Sequence, residues 1–249
     1  MSHILQILPL LFFAVAFIYS TVGFAGGSSY LLVLTLAGFT HTQSAPIALI
    51  CNLVVSSVGF FHFYKAGHFR FRLVLPFMAL SIPLAFVGAH VPLKKEVFYI
   101  LLGACLAFAG LRLFLLRSGS ADKREITTKR LWSLGLPAGA LMGFFSGLVG
   151  IGGGIFLSPF LILTGLATLG EASAAASFFI FVNSLSGLAG KLQNGLALTP
   201  NLWLLAFSAF LGGWIGSRLG SHHLPLIKLQ RILAGLVLFI SINLVLKAF

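Results

Sequence analysis

The sequence predicts an all-α polytopic membrane protein of two homologous halves. It has eight apolar segments, of which the first and fifth are interrupted, giving 8 to 10 crossings or re-entrant hairpins. Three observations carry this prediction. First, 59% of the 249 residues are hydrophobic and 8% charged, with a mean hydropathy of +1.07, which excludes a soluble globule. Second, stretches of about 20 mostly apolar residues, the length that spans a bilayer, recur from end to end. Third, the glycine cluster Gly150-Ile151-Gly152-Gly153-Gly154 breaks one long apolar run, and a weaker copy, Gly23-Phe24-Ala25-Gly26-Gly27, breaks another 127 positions earlier (23 to 150).

The net charge of +12 comes from 16 Lys and Arg residues against Glu96, Asp122, Glu125 and Glu171. Those basic residues flank apolar segments, where the bias of Lys and Arg toward cytoplasmic loops places them, so a nucleic-acid partner is rejected. A basic protein also attracts anions, a weak pointer to an anionic partner. Cys51 and Cys105 lie inside apolar segments without CxxC or metal-type spacing and read as small buried hydrophobes. The chain is apolar from Ile4, without a preceding basic region, and continues so past Ala14-Val15-Ala16. It therefore reads as a retained first span rather than a cleaved signal.

In order along the chain, the first run extends from about Ile4 to Phe39. As one straight helix it would exceed about 50 Å, against a hydrocarbon core of about 30 Å, so it must break, tilt or turn back. Gly23, Gly26 and Gly27 mark the place, because glycine weakens a helix and admits backbone geometries closed to other residues. The polar turn Thr40-His41-Thr42-Gln43 leads to a second segment from about Ser44 to Phe63, carrying Asn52, Ser56, Ser57 and Gly59. A basic loop with Lys65, His68, Arg70 and Arg72 follows. The third segment, about Leu73 to Val91, contains Pro76 and Pro83, and Lys94-Lys95-Glu96 separates it from a fourth, about Val97 to Leu116. The strongly polar stretch from Arg117 to Arg130 reads as the boundary between halves. The fifth run, about Leu131 to Leu169, is again too long for one crossing. The sixth segment, about Ala172 to Gly190, carries Ser177, Asn183, Ser184 and Ser186 and ends in Lys191-Leu192-Gln193. A seventh spans about Leu202 to Ile215 or a little beyond, Arg218 to His223 is a short polar connection, and an eighth runs from about Ile227.

The repeat organises these segments. Gly23, Gly26, Gly27 and Gly38 match Gly150, Gly153, Gly154 and Gly165 at one offset, and Asn52 and Gly59 match Asn183 and Gly190 at an offset four residues longer. The expected units are an N-terminal repeat at 1–116, a basic cytoplasmic linker at 117–131 and a C-terminal repeat at 132–249. If each interrupted run crosses once, the halves are parallel; if each folds back, they are inverted. Both arrangements put the two richest basic loops inside, so charge counting does not separate them. Run length favours folding back.

A glycine break that opens a new helix presents unpaired backbone N–H groups and partial positive charge, the ingredients of an anion site. In lipid those groups need a partner. An anion held at Gly152, Gly153, Gly154 and Ile155, faced by Gly26, Gly27, Ser28 and Ser29, would meet that need without a buried cation. The bland alternative is that the glycines only let helices approach. Asn52 and Asn183, at equivalent repeat positions inside spans, are either interhelical hydrogen-bonding groups or substrate contacts. Lys191 and Gln193 close the sixth segment, as anchors or as ligands. No span carries a central carboxylate for a proton relay or sodium site. No Walker lysine, GxGxxG pattern, metal motif or hydrolase set appears, so neither a cofactor nor an enzymatic activity is expected.

With these residues assembled, the chain resembles the TauE/SafE family of membrane permeases, the sulfite-exporter family. The resemblance rests on the duplicated glycine block, Pro159 after its second copy, the polar second helix of each half and Lys191-Leu192-Gln193. The second copy follows the family pattern more closely, since in the first Ala25 and Ser28 replace glycine and an aliphatic residue and Leu32 stands where Pro159 falls. The resemblance implies a transporter of small sulfur-containing anions such as sulfite, sulfoacetate or thiosulfate. It also implies export across a bacterial inner membrane. The expected partners are that small anion and the lipid bilayer, with the oligomeric state left open. Two alternatives remain: a non-transporting scaffold or assembly protein, and an importer of a different anion.

Overall fold

The computed structural model describes residues 2–92, 94–115, 127–192 and 202–222, together with 234–235, 238–239 and 241–242. Most of the expected eighth segment and most of the linker, as well as Gln193, lie outside the described residues. The described elements are helical, with no strand among them: α1 (Ser2–Ser20), α2 (Gly27–Leu36), α3 (His41–Lys65), α4 (Phe71–His90), α5 (Lys95–Leu115), α6 (Thr128–Val149), α7 (Gly154–Leu163), α8 (Leu169–Leu192) and α9 (Leu202–His222). Among the described residues, five helices (α3, α4, α6, α8 and α9) are long and apolar enough to cross a membrane, and α2 and α7 are shorter apolar helices. The expected polar connection from Arg218 is corrected: α9 continues as helix to His222. Its small residues explain why, since Gly216 and Gly220 press against the backbone of Phe17 and Thr21 and Ser217 returns its hydroxyl to the carbonyl of Gly213 at 2.6 Å.

Both long runs break at their glycines. Gly23, Gly26 and Gly38 in the first, and Gly150, Gly153 and Gly165 in the second, all adopt φ between 69° and 93°, a left-handed region that costs L side chains and is open to glycine. The breaks are not identical. Gly152 takes φ 83°, whereas Ala25, at the matching position, does not enter that region. The first break accordingly spans Thr21 to Gly26, and the second only Gly150 to Gly153.

Helix directions follow from which residues meet. Gly212, Gly216 and Gly220 of α9 meet Phe13 and Phe17 of α1 and Thr21 just past its end in ascending order, so these helices run parallel. Gly213 meets Val55 and Ser217 meets His62, so α3 runs the same way. Gly27 lies against Asn52, near the middle of α3, and α2 then leads back to the start of α3 through a four-residue turn. The first run therefore folds back, α1 descending and α2 returning. In the second run Gly135, Gly139, Gly143 and Gly147 of α6 track Pro76, Phe77, Ser81 and Ala85 of α4 in parallel. Ser186 bonds the Ile82 carbonyl at 2.6 Å and Gly190 meets Ala89, which aligns α8 with α4. Gly154 starts α7 against Ile180 and Ala176, and α7 returns toward the start of α8. Since Gly59 meets Ser177 while Gly152 touches both Asn52 and Ser184, α3 and α8 are antiparallel.

Two glycine stripes hold this arrangement together. A methyl group at Gly139 or Gly147 would overlap the carbonyl of Phe77 or Ala85, and one at Gly212 or Gly216 that of Phe13 or Phe17. Such backbone contact suits lipid, where helix association draws on van der Waals packing rather than on the hydrophobic effect. Capping fixes the surface ends of α3 and α8. Thr40 N–H donates to Gln43 Oε1 at 3.1 Å, and Thr168 N–H donates to Glu171 Oε2 at 2.8 Å. Both are Thr-x-x-Gln/Glu capping boxes.

Candidate functional site

The half-helices α2 and α7 begin without such caps. Their N-cap residues are Gly26 (φ 93°) and Gly153 (φ 75°), and no side chain bonds either end. The first-turn N–H groups of any helix have no intrahelical acceptor. Here they open next to the middle of α3 and the second half of α8, where a buried polar backbone is costly unless partnered.

Asn52 is the side chain between the two starts. A methyl group at Gly27 would strike its carboxamide, and one at Gly152 would lie 3.1 Å from its Nδ2 and 2.9 Å from Ser184 Oγ. Asn52 is 0% exposed, and neither its Nδ2 nor its Oδ1 has a hydrogen-bond partner. The hydroxyls of Ser146 and Ser184 are likewise buried and unpartnered. Ser146 lies on α6 with its Cβ 3.2 Å from where a Gly153 methyl would sit. Buried polar groups are hydrogen-bonded in the great majority of cases, so this cluster at the two breaks is exceptional. A polar ligand would satisfy it.

Asn183 behaves differently from its sequence counterpart. Its Nδ2 donates to the Phe179 carbonyl at 2.9 Å, one turn earlier on α8, while its Oδ1 remains unpartnered. Phe179 meets Gly153, and Gly187 meets Gly147. Asn183 lies between them at four-residue spacing, on the face turned to the α6–α7 break.

The remaining expected residues divide. Gly26, Gly27, Gly152, Gly153 and Gly154 form the breaks, Ile155 is buried in the first turn of α7 and Ser28 is buried in that of α2. Ser29 is engaged elsewhere, its hydroxyl donating to Tyr19 Oη at 2.8 Å. Lys191 is not brought to the breaks. It is seven residues beyond Ser184, about 10 Å along the helix axis, and its Nζ donates to the Ala89 carbonyl at 3.5 Å, tying α8 to α4. Gln193 lies outside the described residues.

Sequence reasoning did not single out Ser146 and Ser184 as site residues, nor Tyr30, whose buried hydroxyl has no partner and lies 3.5 Å from where a Gly26 methyl would sit. Ser184 carries a signal in hindsight, since it is one turn from Ile180 on the stripe facing Gly152 and Gly154. Ser146 offers none that separates it from the other serines. Among the described residues no group of three His, Cys, Asp or Glu could hold a metal ion. The unpartnered polar atoms of Asn52, Ser146 and Ser184 equip the breaks for hydrogen bonding to a small polar ligand.

Comparison with known proteins places these features in context. The family model described as "Sulfite exporter TauE/SafE" matches residues 8–244. A Sinorhizobium fredii protein named "Probable membrane transporter protein y4hK" is 34% identical over 245 residues, covering 95% of this chain and 96% of its own. A Bacillus subtilis protein named "Probable membrane transporter protein YunE" is 26% identical, covering 81% and 82%. A Haemophilus influenzae protein named "Probable membrane transporter protein" is 26% identical, covering 90% and 92%. No solved structure matches.

Proposed function

The chain belongs to the sulfite exporter TauE/SafE family of membrane transporters, and from that premise we propose that it moves a small sulfur-containing oxyanion, such as sulfite, outward through a site between the starts of α2 and α7. Sulfoacetate and thiosulfate belong to the same substrate class. The observation that carries the reading is Asn52, fully buried between the two glycine breaks with both amide atoms unpartnered. Backbone N–H groups of Gly27, Ser28, Gly154 and Ile155 hold the anion, helped by the positive ends of two half-helices. Asn52, Ser184 and Ser146 supply side-chain hydrogen bonds, and Asn183 stands on the same face of α8.

Residues 1–116 and 132–249 act as two inverted repeats. The support is the opposed direction of α3 and α8, the fold-back of both runs and the reciprocal pairing of α1 with α9 and α6 with α4. Sites at the interface of such repeats, lined by half-helix N-termini, suit alternating access by rocking one half against the other. The face at the end of α3 gathers Lys65, Arg70, Arg72, Lys129, Arg130 and Arg218, whereas the opposite face has Lys94, Lys95 and Lys191. The richer face is cytoplasmic by the positive-inside rule, in a bacterial inner membrane. A packing-only scaffold leaves Asn52, Ser146 and Ser184 buried for no return, and is disfavoured for that reason.

The test is sulfite flux in proteoliposomes. Wild-type protein should carry sulfite, and Gly153→Leu, which forces a branched side chain into φ 75° beside Phe179, should abolish flux. Unchanged flux in a correctly folded Gly153→Leu protein would remove the glycine break from the mechanism.

A further inference from the structure

We propose that the site takes the singly charged, protonated form of its oxyanion and rejects the dianion, an inference that rests on the transport reading above. Two properties of the cluster lead to it. The first is its charge. The side chains that meet Gly27, Gly152, Gly153 and Gly154 are Asn52, Ser146, Phe179, Ile180 and Ser184, none of them ionisable. The titratable groups on the elements around them are His3 and Tyr19 on α1, Tyr30 on α2 and Cys51 on α3, with His41 at the start of α3, His62, Tyr64 and Lys65 toward its far end, and Glu171 and Lys191 near the two ends of α8. Arg218 and His222 lie at the end of α9, Lys129 and Arg130 begin α6, and α7 carries no titratable side chain. Among the described residues the site thus offers dipoles and no formal positive charge. The cost of bringing an ion into such surroundings rises with the square of its charge, so a dianion costs about four times as much as a monoanion. Half-helix dipoles of about half a charge each compensate one negative charge in total, not two.

The second property is the polarity of the unpartnered atoms. The Asn183 amide is oriented by its own bond: Nδ2 faces the Phe179 carbonyl, because an amide oxygen cannot accept from another oxygen acceptor. Its Oδ1 is therefore left as an acceptor without a donor, and Asn52 Oδ1 is a second. A fully ionised oxyanion brings only acceptors. It would satisfy Asn52 Nδ2, the serine hydroxyls and the backbone N–H groups, yet leave Asn52 Oδ1, and Asn183 Oδ1 on the neighbouring face of α8, without a donor. A hydrogen-oxyanion keeps one O–H, which one of these amide oxygens can accept, while its remaining oxygens take the donors. The donor and acceptor inventory matches a protonated monoanion, of which hydrogensulfite is the form accessible near neutral pH; thiosulfate and sulfoacetate, dianions there, fall outside the substrate class on this inference.

The experiment is calorimetric titration of the purified full-length protein in detergent with sulfite over a pH series spanning sulfite's second ionisation. Methanesulfonate, a monoanion that does not titrate there, is titrated in parallel. The dissociation constant expressed on total sulfite should be flat below that ionisation and weaken about tenfold for each pH unit above it, while any affinity for methanesulfonate stays level. A sulfite affinity that is level or tightens as the dianion forms overturns the proposal, as does an equal slope for methanesulfonate. If sulfite crosses proteoliposomes but binds as the dianion, this inference alone fails. If sulfite neither binds nor crosses at any pH, the transport reading fails and takes this one with it.

Discussion

Replacing Asn52 with Leu separates a binding residue from a structural one. Leu keeps the branched Cγ of asparagine and exchanges the two amide atoms for methyl groups. Both of those atoms are buried and unpartnered, and each such group costs about 1 to 3 kcal/mol in a folded protein. Against that gain stands the crowding of bulkier methyls beside Gly27, about 1 to 3 kcal/mol on the scale of small-to-large core substitutions. The balance is about 2 kcal/mol of added stability. At about 2 to 4 °C per kcal/mol for a chain of this size, the melting temperature rises by about 4 to 8 °C. Thermal unfolding of the detergent-solubilised protein, followed by tryptophan fluorescence, reads this shift, and proteoliposomes read flux from the same preparation. The expected result is a more stable protein that no longer carries sulfite. A variant that melts lower while transporting normally would show that Asn52 serves the fold, and the site would have to be sought elsewhere.

Two further outcomes test the architecture around the site. Gly147→Ala drives a methyl group into the Ala85 carbonyl, whereas Gly187→Ala finds Gly147 Cα at 3.7 Å; the first should cost about 1 to 3 kcal/mol and the second stay within about 0.5 kcal/mol, both read from melting temperatures. In a background with Cys51 and Cys105 replaced by Ala, Lys65→Cys and Arg218→Cys should both resist a membrane-impermeant maleimide on intact cells, while Lys94→Cys should react. A run that crossed only once would put Arg218 on the side opposite Lys65, and labelling of Arg218→Cys from outside would therefore rule out the fold-back.

The glycine clusters were legible as breaks because their chemistry is local: four glycines within Gly150 to Gly154 cannot sustain a helix in an otherwise helical run, whatever surrounds them. Asn52 and Asn183 stood out for a similar reason, as amides in the middle of apolar segments. Lys191, expected at the end of the sixth segment as an anchor or a ligand, lies there on the Ala89 carbonyl, away from the breaks. Residue type does not say how far along a helix the site reaches. The serines were harder still. Ser146 and Ser186 look alike in sequence, but Ser186 finds the Ile82 carbonyl at 2.6 Å and Ser146 finds none. That difference is made by neighbours more than 100 residues apart in the chain.

By itself the sequence determined the solvent, the helical class, the positions of the two breaks and the family, because each depends on composition or on residues close together in the chain. Only the tertiary structure decided that the runs turn back rather than cross, that Asn52 lies against both breaks, and that Asn183 donates one amide hydrogen to its own helix. Direction and partnership are properties of packed surfaces. A glycine permits a turn without choosing its sense, and the choice falls to stripes such as Gly139, Gly143 and Gly147, whose backbone contacts admit one alignment of α6 on α4.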